Sequence, residues 1–344
     1  MFTPKYTITN SLLANIKRIN NLISELNDRR FSKVVLFELE RAARDVSAHA
    51  STSIEGNPLP LTEVKKILKS KPAHTRESEK EVLNYNEALE YLDKKLQEEH
   101  VIPSLDLILE IHKLVMKDLL AQQDIGVLRK RPVVVNDPRT GRTVYLPPDV
   151  NEVNSLMTDL VGFMDQKHKE IDTLILSGIF HKQMVLIHPF IDGNGRTTRL
   201  ATKVLLAEMG LNTFNLFSFE NYYNKNVTRY FEYVGERGDY YELKDKIDFT
   251  GWLEYFTEGI IDELLRVQEI LPKIAISPDK ELQKYHNKIL DFIKEKGFIK
   301  DSDYAKLVDR ARATRALDFQ KLLDLELIER KGKGKATYYI LKEE

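Results

Sequence analysis

The chain has no cysteine, no long uncharged apolar run and almost no net charge, and each absence excludes a class of function. Without cysteine there are no disulfides, thiolate nucleophiles, iron–sulfur clusters or cysteine-bound zinc sites, and the expected compartment is cytoplasmic. No apolar stretch approaches the roughly 20 residues of a membrane-spanning helix, and the opening MFTPKYTITN lacks the basic-then-apolar order of an export signal, so no membrane partner is expected. A net charge of −1 gives no overall attraction to nucleic acid, so any basic patch must be local. What is present is 344 residues, 42% hydrophobic and 31% charged, which suffices for two or three domains with real cores.

From Leu12 to about Leu96 apolar residues recur at helical spacing, for example Leu12, Ile16, Ile19, Leu22, Ile23 and Leu26. Residues 1–100 therefore read as an N-terminal helical domain, interrupted once where SIEGNPLP turns the chain, with one helix ending near Glu55. Residues 101–265 form a second, mainly helical block. Its only strand-like stretches, Pro132 to Val135 and Thr143 to Leu146, flank a turn-rich loop and read as an isolated hairpin ended by Pro147-Pro148. Residues 266–279 look like a connector. Residues 280–344 show three helical runs, then Leu327 to Arg330, the loop Lys331-Gly332-Lys333-Gly334-Lys335, and Thr337 to Leu341, a winged-helix pattern. The expected fold class is mainly α.

Chemistry concentrates in IHPFIDGNGRTTRL, residues 187–200. Gly193-Asn194-Gly195 can take left-handed conformations that aim successive N–H groups into one concavity, and a helix from about Arg196 to Met209 would start there, a combination that binds anions. Arg196 and Arg199, three apart, share a face of that helix and suit a ligand with several phosphates. Asp192 can supply the single carboxylate that phosphate-bound Mg²⁺ takes from protein. His188 is the nearby side chain able to accept a proton at neutral pH. Taken singly, these residues are more simply a helix cap, a surface turn and solvated charges; in one compact order they point to a nucleotide.

HPFIDGNGRTTR resembles the Fic motif, HPFx(D/E)GNGRxxR, with every defining position filled. Gly126-Val127-Leu128-Arg129, the hairpin end Val144-Tyr145-Leu146-Pro147-Pro148, and Leu156-Met157 resemble the region preceding that motif, so the likeness covers roughly residues 100 to 265. It implies a Fic-type helical core with a hairpin flap and a reaction in which ATP donates AMP to a Ser, Thr or Tyr hydroxyl of a target protein. By this resemblance His188 would be the general base and Asp192 would hold Mg²⁺. Gly193, Asn194, Gly195, Arg196, Thr197 and Arg199 would bind the phosphates, and the 132–146 hairpin would clamp the target by strand pairing. Tyr230-Phe231 resembles a Tyr-Tyr pair near the adenine in related proteins, with core aromatics as the equal alternative.

Ser51-Thr52-Ser53-Ile54-Glu55-Gly56 matches the inhibitory motif (S/T)xxxE(G/N) found before many Fic domains. The resemblance implies that Glu55 pairs with Arg199 and misorients ATP, and that in some members the same glutamate helps remove AMP from the target. Two other features are set aside. His181, seven before His188, reads as a core histidine because no acid is spaced to complete a metal site. The sequence Gly332-Lys333-Gly334-Lys335 lacks P-loop spacing and reads as a wing tip.

Residues 280–344 carry 16 Lys+Arg and 12 Asp+Glu. That excess permits DNA contact, but Asp318 on the expected recognition helix would oppose phosphate if it faced the groove. A protein-docking or homodimer-related module is the favoured reading. The competing reading of the whole chain is a nucleotide-sensing DNA-binding regulator with a Fic-like core, against which the intact His188 argues.

Overall fold

The run Leu174 to Phe180 is apolar around most of the helix, interrupted only by the small residues Ser177 and Gly178, and so favours burial. In the computed structural model it lies in a central helix, buried along nearly its whole length. The structure describes residues 2–27, 33–70, 72, 74–98, 101, 103–136, 141–207, 209, 218–275, 284–324 and 327–342. They fall into two compact units, one drawn from residues 1–30 and 38–273, the other from 31–37 and 274–344.

In the first unit, α1 (Asn10–Asn27), α2 (Lys33–Ile54) from residue 38 onward, α3 (Leu61–Ser70) and α4 (Glu77–Glu98) precede α5 (Leu105–Val115). The Ser104 hydroxyl accepts the Leu107 N–H and starts α5, an N-cap of the ordinary kind. Strands β1 (Val135–Asn136) and β2 (Thr143–Leu146) follow, then α6 (Val150–Lys167) and the central α7 (Thr173–Ile187), capped by Asp172 accepting from Leu174 N–H. Next come α8 (Asn194–Ala207), α9 (Phe219–Lys225), α10 (Val227–Val234), the two-residue strand β3 (Gly238–Asp239), the single turn α11 (Tyr240–Leu243) and α12 (Thr250–Ala275). Helix α7 packs against α6 and α8, while α4 and α5 cover α8.

Three expectations are corrected here. The N-terminal region breaks between α3 and α4 as well as at 51–60, because Pro72 follows the end of α3 and cannot continue a helix. The hairpin is not isolated: β2 also pairs in parallel with β3, at Tyr145–Gly238 and Leu146–Asp239, giving the order β1-β2-β3. Most of the expected connector is helix, since α12 runs to Ala275 and buries Val267 and Leu271; residues 276–279 lie outside the described residues. Part of the hairpin loop, 137–140, also lies outside them.

The second unit contains α13 (Lys284–Lys296), α14 (Asp301–Leu307), α15 (Arg312–Asp324) and an antiparallel ladder of β4 (Ile328–Lys331) with β5 (Tyr338–Leu341). Ile299 bridges to Tyr339 beside that ladder. Its core is Ile289, Ile293, Ile299, Tyr304, Phe319, Leu322 and their neighbours. Asp318 does not face outward. It is buried, accepts the Tyr304 hydroxyl at 2.7 Å and pairs with Arg310 and His286, because an unpaired carboxylate could not be held in this core. Asp318 therefore does not oppose contact between α15 and phosphate.

Candidate active site

Helix α7 ends at His188, whose backbone is left-handed at φ 50°, ψ 60°, an unfavourable conformation for a residue with a Cβ. Arg129 holds it there: its Nε donates to the His188 carbonyl and its backbone N–H to the Pro189 carbonyl, both at 2.9 Å, while Nη2 reaches the Pro148 carbonyl. The His188 Nδ1 lies 3.3 Å from the Val185 carbonyl. A carbonyl only accepts, so Nδ1 carries the proton and Nε2 presents a lone pair. Burial lowers the His188 pKa below the ordinary imidazole value, against smaller upward pulls from the Val185 carbonyl and the Glu55 charge. The ring is a neutral base at pH 7.

The turn from His188 to α8 is internally tied. The Asn194 amide accepts from Phe190 N–H and donates to the Phe190 carbonyl, each at 2.9 Å, so its side chain is a loop clamp. His112 on α5 stacks on Phe190 with ring centroids 3.9 Å apart. Its Nδ1 accepts from Gly126 N–H at 2.9 Å, so its Nε2 donates to the Asp192 carbonyl at 3.1 Å, and burial pushes its pKa down to about 4. Sequence reasoning missed His112, which looked like one more residue on an apolar helix face, and quoted Arg129 only within a resemblance.

Gly193 has φ +74°, and a Cβ there would lie 2.4 Å from the Met116 sulfur, so both backbone and space require glycine. Its N–H is not available to a ligand, because it donates to the Asp192 Oδ1 at 2.6 Å. Helix α8 begins at Asn194, two residues earlier than expected, and its geometry leaves the N–H groups of Asn194, Gly195 and Arg196 without intrahelical acceptors. Thr197 N–H bonds the Gly193 carbonyl, and the Thr197 hydroxyl is buried without a hydrogen-bond partner.

The two arginines are buried, not solvated. Arg199 donates from Nε to Ser51 Oγ at 2.7 Å and from Nη2 to the Ser51 carbonyl at 2.9 Å and to Glu55 Oε1 at 2.7 Å. Despite its burial, the charge of the adjacent Glu55 carboxylate keeps it protonated. Arg196 points elsewhere, with Nη1 3.3 Å from Glu81 and Nη2 3.6 Å from Asp192. Arg196 Nε and Nη1 and Arg199 Nη1 make no hydrogen bond although buried. Orphaned guanidinium donors at a helix N-terminus fit an anionic ligand.

Glu55 is delivered by the end of α2. Asn57 N–H bonds the Thr52 carbonyl and Gly56 N–H the Ser53 carbonyl, with Gly56 at φ +96°, a Schellman termination that needs glycine or asparagine in the left-handed place. A Cβ on Gly195 would lie 2.1 Å from Glu55 Oε1. Tyr230 is 1% exposed, bonds His181 Nε2 through its hydroxyl and stacks on Tyr223 at 4.9 Å, so its ring is held in the aromatic core. His181 is also satisfied by Thr202 at 3.0 Å and is a core histidine.

For Mg²⁺, the turn before α8 offers the exposed carboxylate of Asp192, and the described residues contain no group of three or more His, Asp or Glu that could hold a metal. That donor set fits only a Mg²⁺ carried largely by phosphate and water oxygens.

The family model for the Fic/DOC family matches residues 101–206. The chain is 30% identical over 200 residues to "Protein adenylyltransferase fic-1" of Caenorhabditis elegans, covering 57% of this chain and 38% of that one. It is 27% identical over 273 residues to "Protein adenylyltransferase Fic" of Nematostella vectensis, covering 77% and 60%. The chain therefore spans between about two fifths and three fifths of the length of these curated relatives. Among solved structures, a Fic family protein from Desulfovibrio desulfuricans superposes with a TM-score of 0.66 at 22% identity, over 100% of this chain and 99% of that one. C. elegans Fic-1 superposes at 0.60 and 22% identity, over 76% and 73%. These two likenesses show the fold.

Proposed function

From a chain that belongs to the Fic/DOC family through residues 101–206, we infer a protein adenylyltransferase that moves AMP from ATP to a hydroxyl side chain of a target protein. The observation that carries this reading is the neutral His188, with Nε2 free, beside a helix N-terminus and two buried arginines with unused donors. His188 Nε2 takes the proton of the attacking Ser, Thr or Tyr hydroxyl. The oxygen attacks the α-phosphorus, the bond to the α–β bridging oxygen breaks, and pyrophosphate leaves with the electron pair. The α8 N–H groups, Arg196 and Arg199 hold the phosphates and oppose the charge developing on them. Asp192 would hold a Mg²⁺ ion, which supplies charge neutralisation at the phosphates when bound.

The same reading makes Glu55 a restraint, because Arg199 must leave it before the full triphosphate can be held. The β1–β2 hairpin would seat the target by strand pairing, with Val134 and Leu146 exposed on it. Tyr230, fixed in the core and 1% exposed, offers no edge to an adenine, which favours the core-aromatic reading of this residue. Among the described residues no helix is long and apolar enough to cross a membrane, and cytoplasmic action is part of the proposal. Incubation with ATP and Mg²⁺ followed by intact mass of the chain and of candidate targets tests it: an added AMP supports transfer, and no mass change with any target at any magnesium level removes it.

A second reading gains from the burial of Asp318. With that acid inside, residues 284–342 read as a winged helix whose α15 and wing present Arg312, Lys331 and Lys333 to solvent. Salt-dependent retention of duplex DNA by the full chain would select the nucleotide-sensing regulator, and its absence would leave the unit a protein-docking or dimer-related module.

A further inference from the structure

Arg196 is the less explained of the two arginines. Its side chain is 3% exposed, yet Nε and Nη1 make no hydrogen bond, and its two acidic neighbours stand back, Glu81 at 3.3 Å and Asp192 at 3.6 Å. Their charge compensates the guanidinium without using its donors. Glu81 comes from α4, and its other oxygen is held by the turn that ends α2: Asn57 Nδ2 donates to Glu81 Oε2 at 2.6 Å and to the Ser78 carbonyl at 2.8 Å. The orientation of the Asn57 amide follows from its partners, since its Oδ1 accepts from Leu59 N–H at 3.1 Å. Asn57 is also the residue whose N–H closes the Schellman turn two places after Glu55.

We propose that Glu81 is a second positioning carboxylate for the phosphate-binding face, tying Arg196 through Asn57 to the same turn that carries Glu55. It rests on the reading that Arg196 and Arg199 hold the ATP phosphates. One turn then governs both arginines by different means. Glu55 occupies Arg199 by a direct hydrogen bond. Glu81 keeps Arg196 aimed with its donors open, while its negative charge opposes a phosphate that takes them up. The feature has no local sequence signal, because Glu81 lies 115 positions before Arg196 on an exposed-looking helix.

The test is equilibrium binding of ATP with Mg²⁺ to the full chain by calorimetry, with adenosine as the control ligand, so that no transfer activity is needed. Glu81→Gln keeps the side-chain volume and an acceptor for Asn57 but removes the charge. It should bind ATP roughly 1.5- to 5-fold more tightly, the range of a partly exposed ion pair, with adenosine affinity unchanged. Asn57→Ala keeps the Glu81 charge but frees its carboxylate to close on the Arg196 donors, so it should weaken ATP binding and have no such effect in the Glu81→Gln background. ATP affinity that is unchanged or weaker in Glu81→Gln, or a parallel change for adenosine, overturns the proposal. If Glu81→Gln does not fold, Asn57→Ala decides, and unchanged or tighter ATP affinity there overturns it as well. Tighter ATP binding with no AMP transfer by any variant, Glu55→Gly included, leaves the positioning role standing and removes the adenylyltransferase reading.

Discussion

Glu55 and Arg199 meet at 2.7 Å between the last turn of α2 and the first turns of α8, the arginine wholly buried and the carboxylate 30% exposed. A charged hydrogen bond this well formed holds an arginine that the triphosphate would otherwise recruit.

Glu55→Gly should therefore increase AMP transfer by about tenfold or more, each 1.4 kcal/mol of released restraint being a factor of ten. The variant should also modify its own hydroxyls, and any Glu55-assisted AMP removal should be lost. Labelled ATP and a pre-modified target measure the two directions; equal transfer by wild type and variant at saturating ATP would reduce the motif to a helix end.

His188→Ala should fold normally, bind ATP and lose about 10²- to 10⁴-fold in transfer rate, as removal of a general base does. Because burial lowers the His188 pKa, the ring loses its base function only when the pH falls below the ordinary imidazole value of 6.5. The acid limb of the pH–rate profile should sit below that value, and a limb at or above 6.5 would contradict the assignment.

Asp192→Ala should raise the Mg²⁺ concentration needed for half-maximal transfer. Metal titration of wild type and variant checks this, and undiminished turnover of the wild type in excess chelator would exclude the metal role.

Gly195→Ala should destabilise by about 1–3 kcal/mol, because the new Cβ would overlap Glu55 Oε1. Combined with Glu55→Gly the penalty should shrink but not vanish, since the new Cβ would still lie 2.9 Å from the buried Arg199 Nη1. Thermal melts of the two single variants and the double variant read the coupling.

His112 carries its own pH dependence. Its folded pKa of about 4 lies below the unfolded 6.5, so its contribution is complete above 6.5 and is lost as pH falls toward 4, by about 3 kcal/mol. Denaturant unfolding should show that loss in the wild type and a flatter profile in His112→Gln.

Much of this site could be read in the sequence because it is local: residues 188–199 fall within three turns of chain, and glycine, histidine and arginine there have few alternative roles. Glu55 was readable for the same reason, its glycine marking a helix end. What was hidden is long-range. Arg129 reaches the His188 backbone across 59 positions, His112 reaches Asp192 across 80, and no periodicity encodes either contact. The strand β3 escaped because two residues, Gly238 and Asp239, carry no strand-like pattern. Asp318 was misread because helical spacing alone does not say which face of α15 meets the core formed by Tyr304 and Phe319.

Helices α2 and α8 meet through three rungs with a spacing of four residues on each: Ser47 with Lys203, Ser51 with Arg199, and Glu55 beside Gly195. The rungs differ in what it takes to open them. Lys203 is buried against Ser47 and Glu220, and Arg199 is gripped twice by Ser51, while Glu55 stands partly in water at the helix end, where opening costs least. Unzipping from that tip gives up Glu55 first and leaves Ser51 in place. An arginine freed in this order is already aimed, so activation and preorganisation come from the same stagger between two helices.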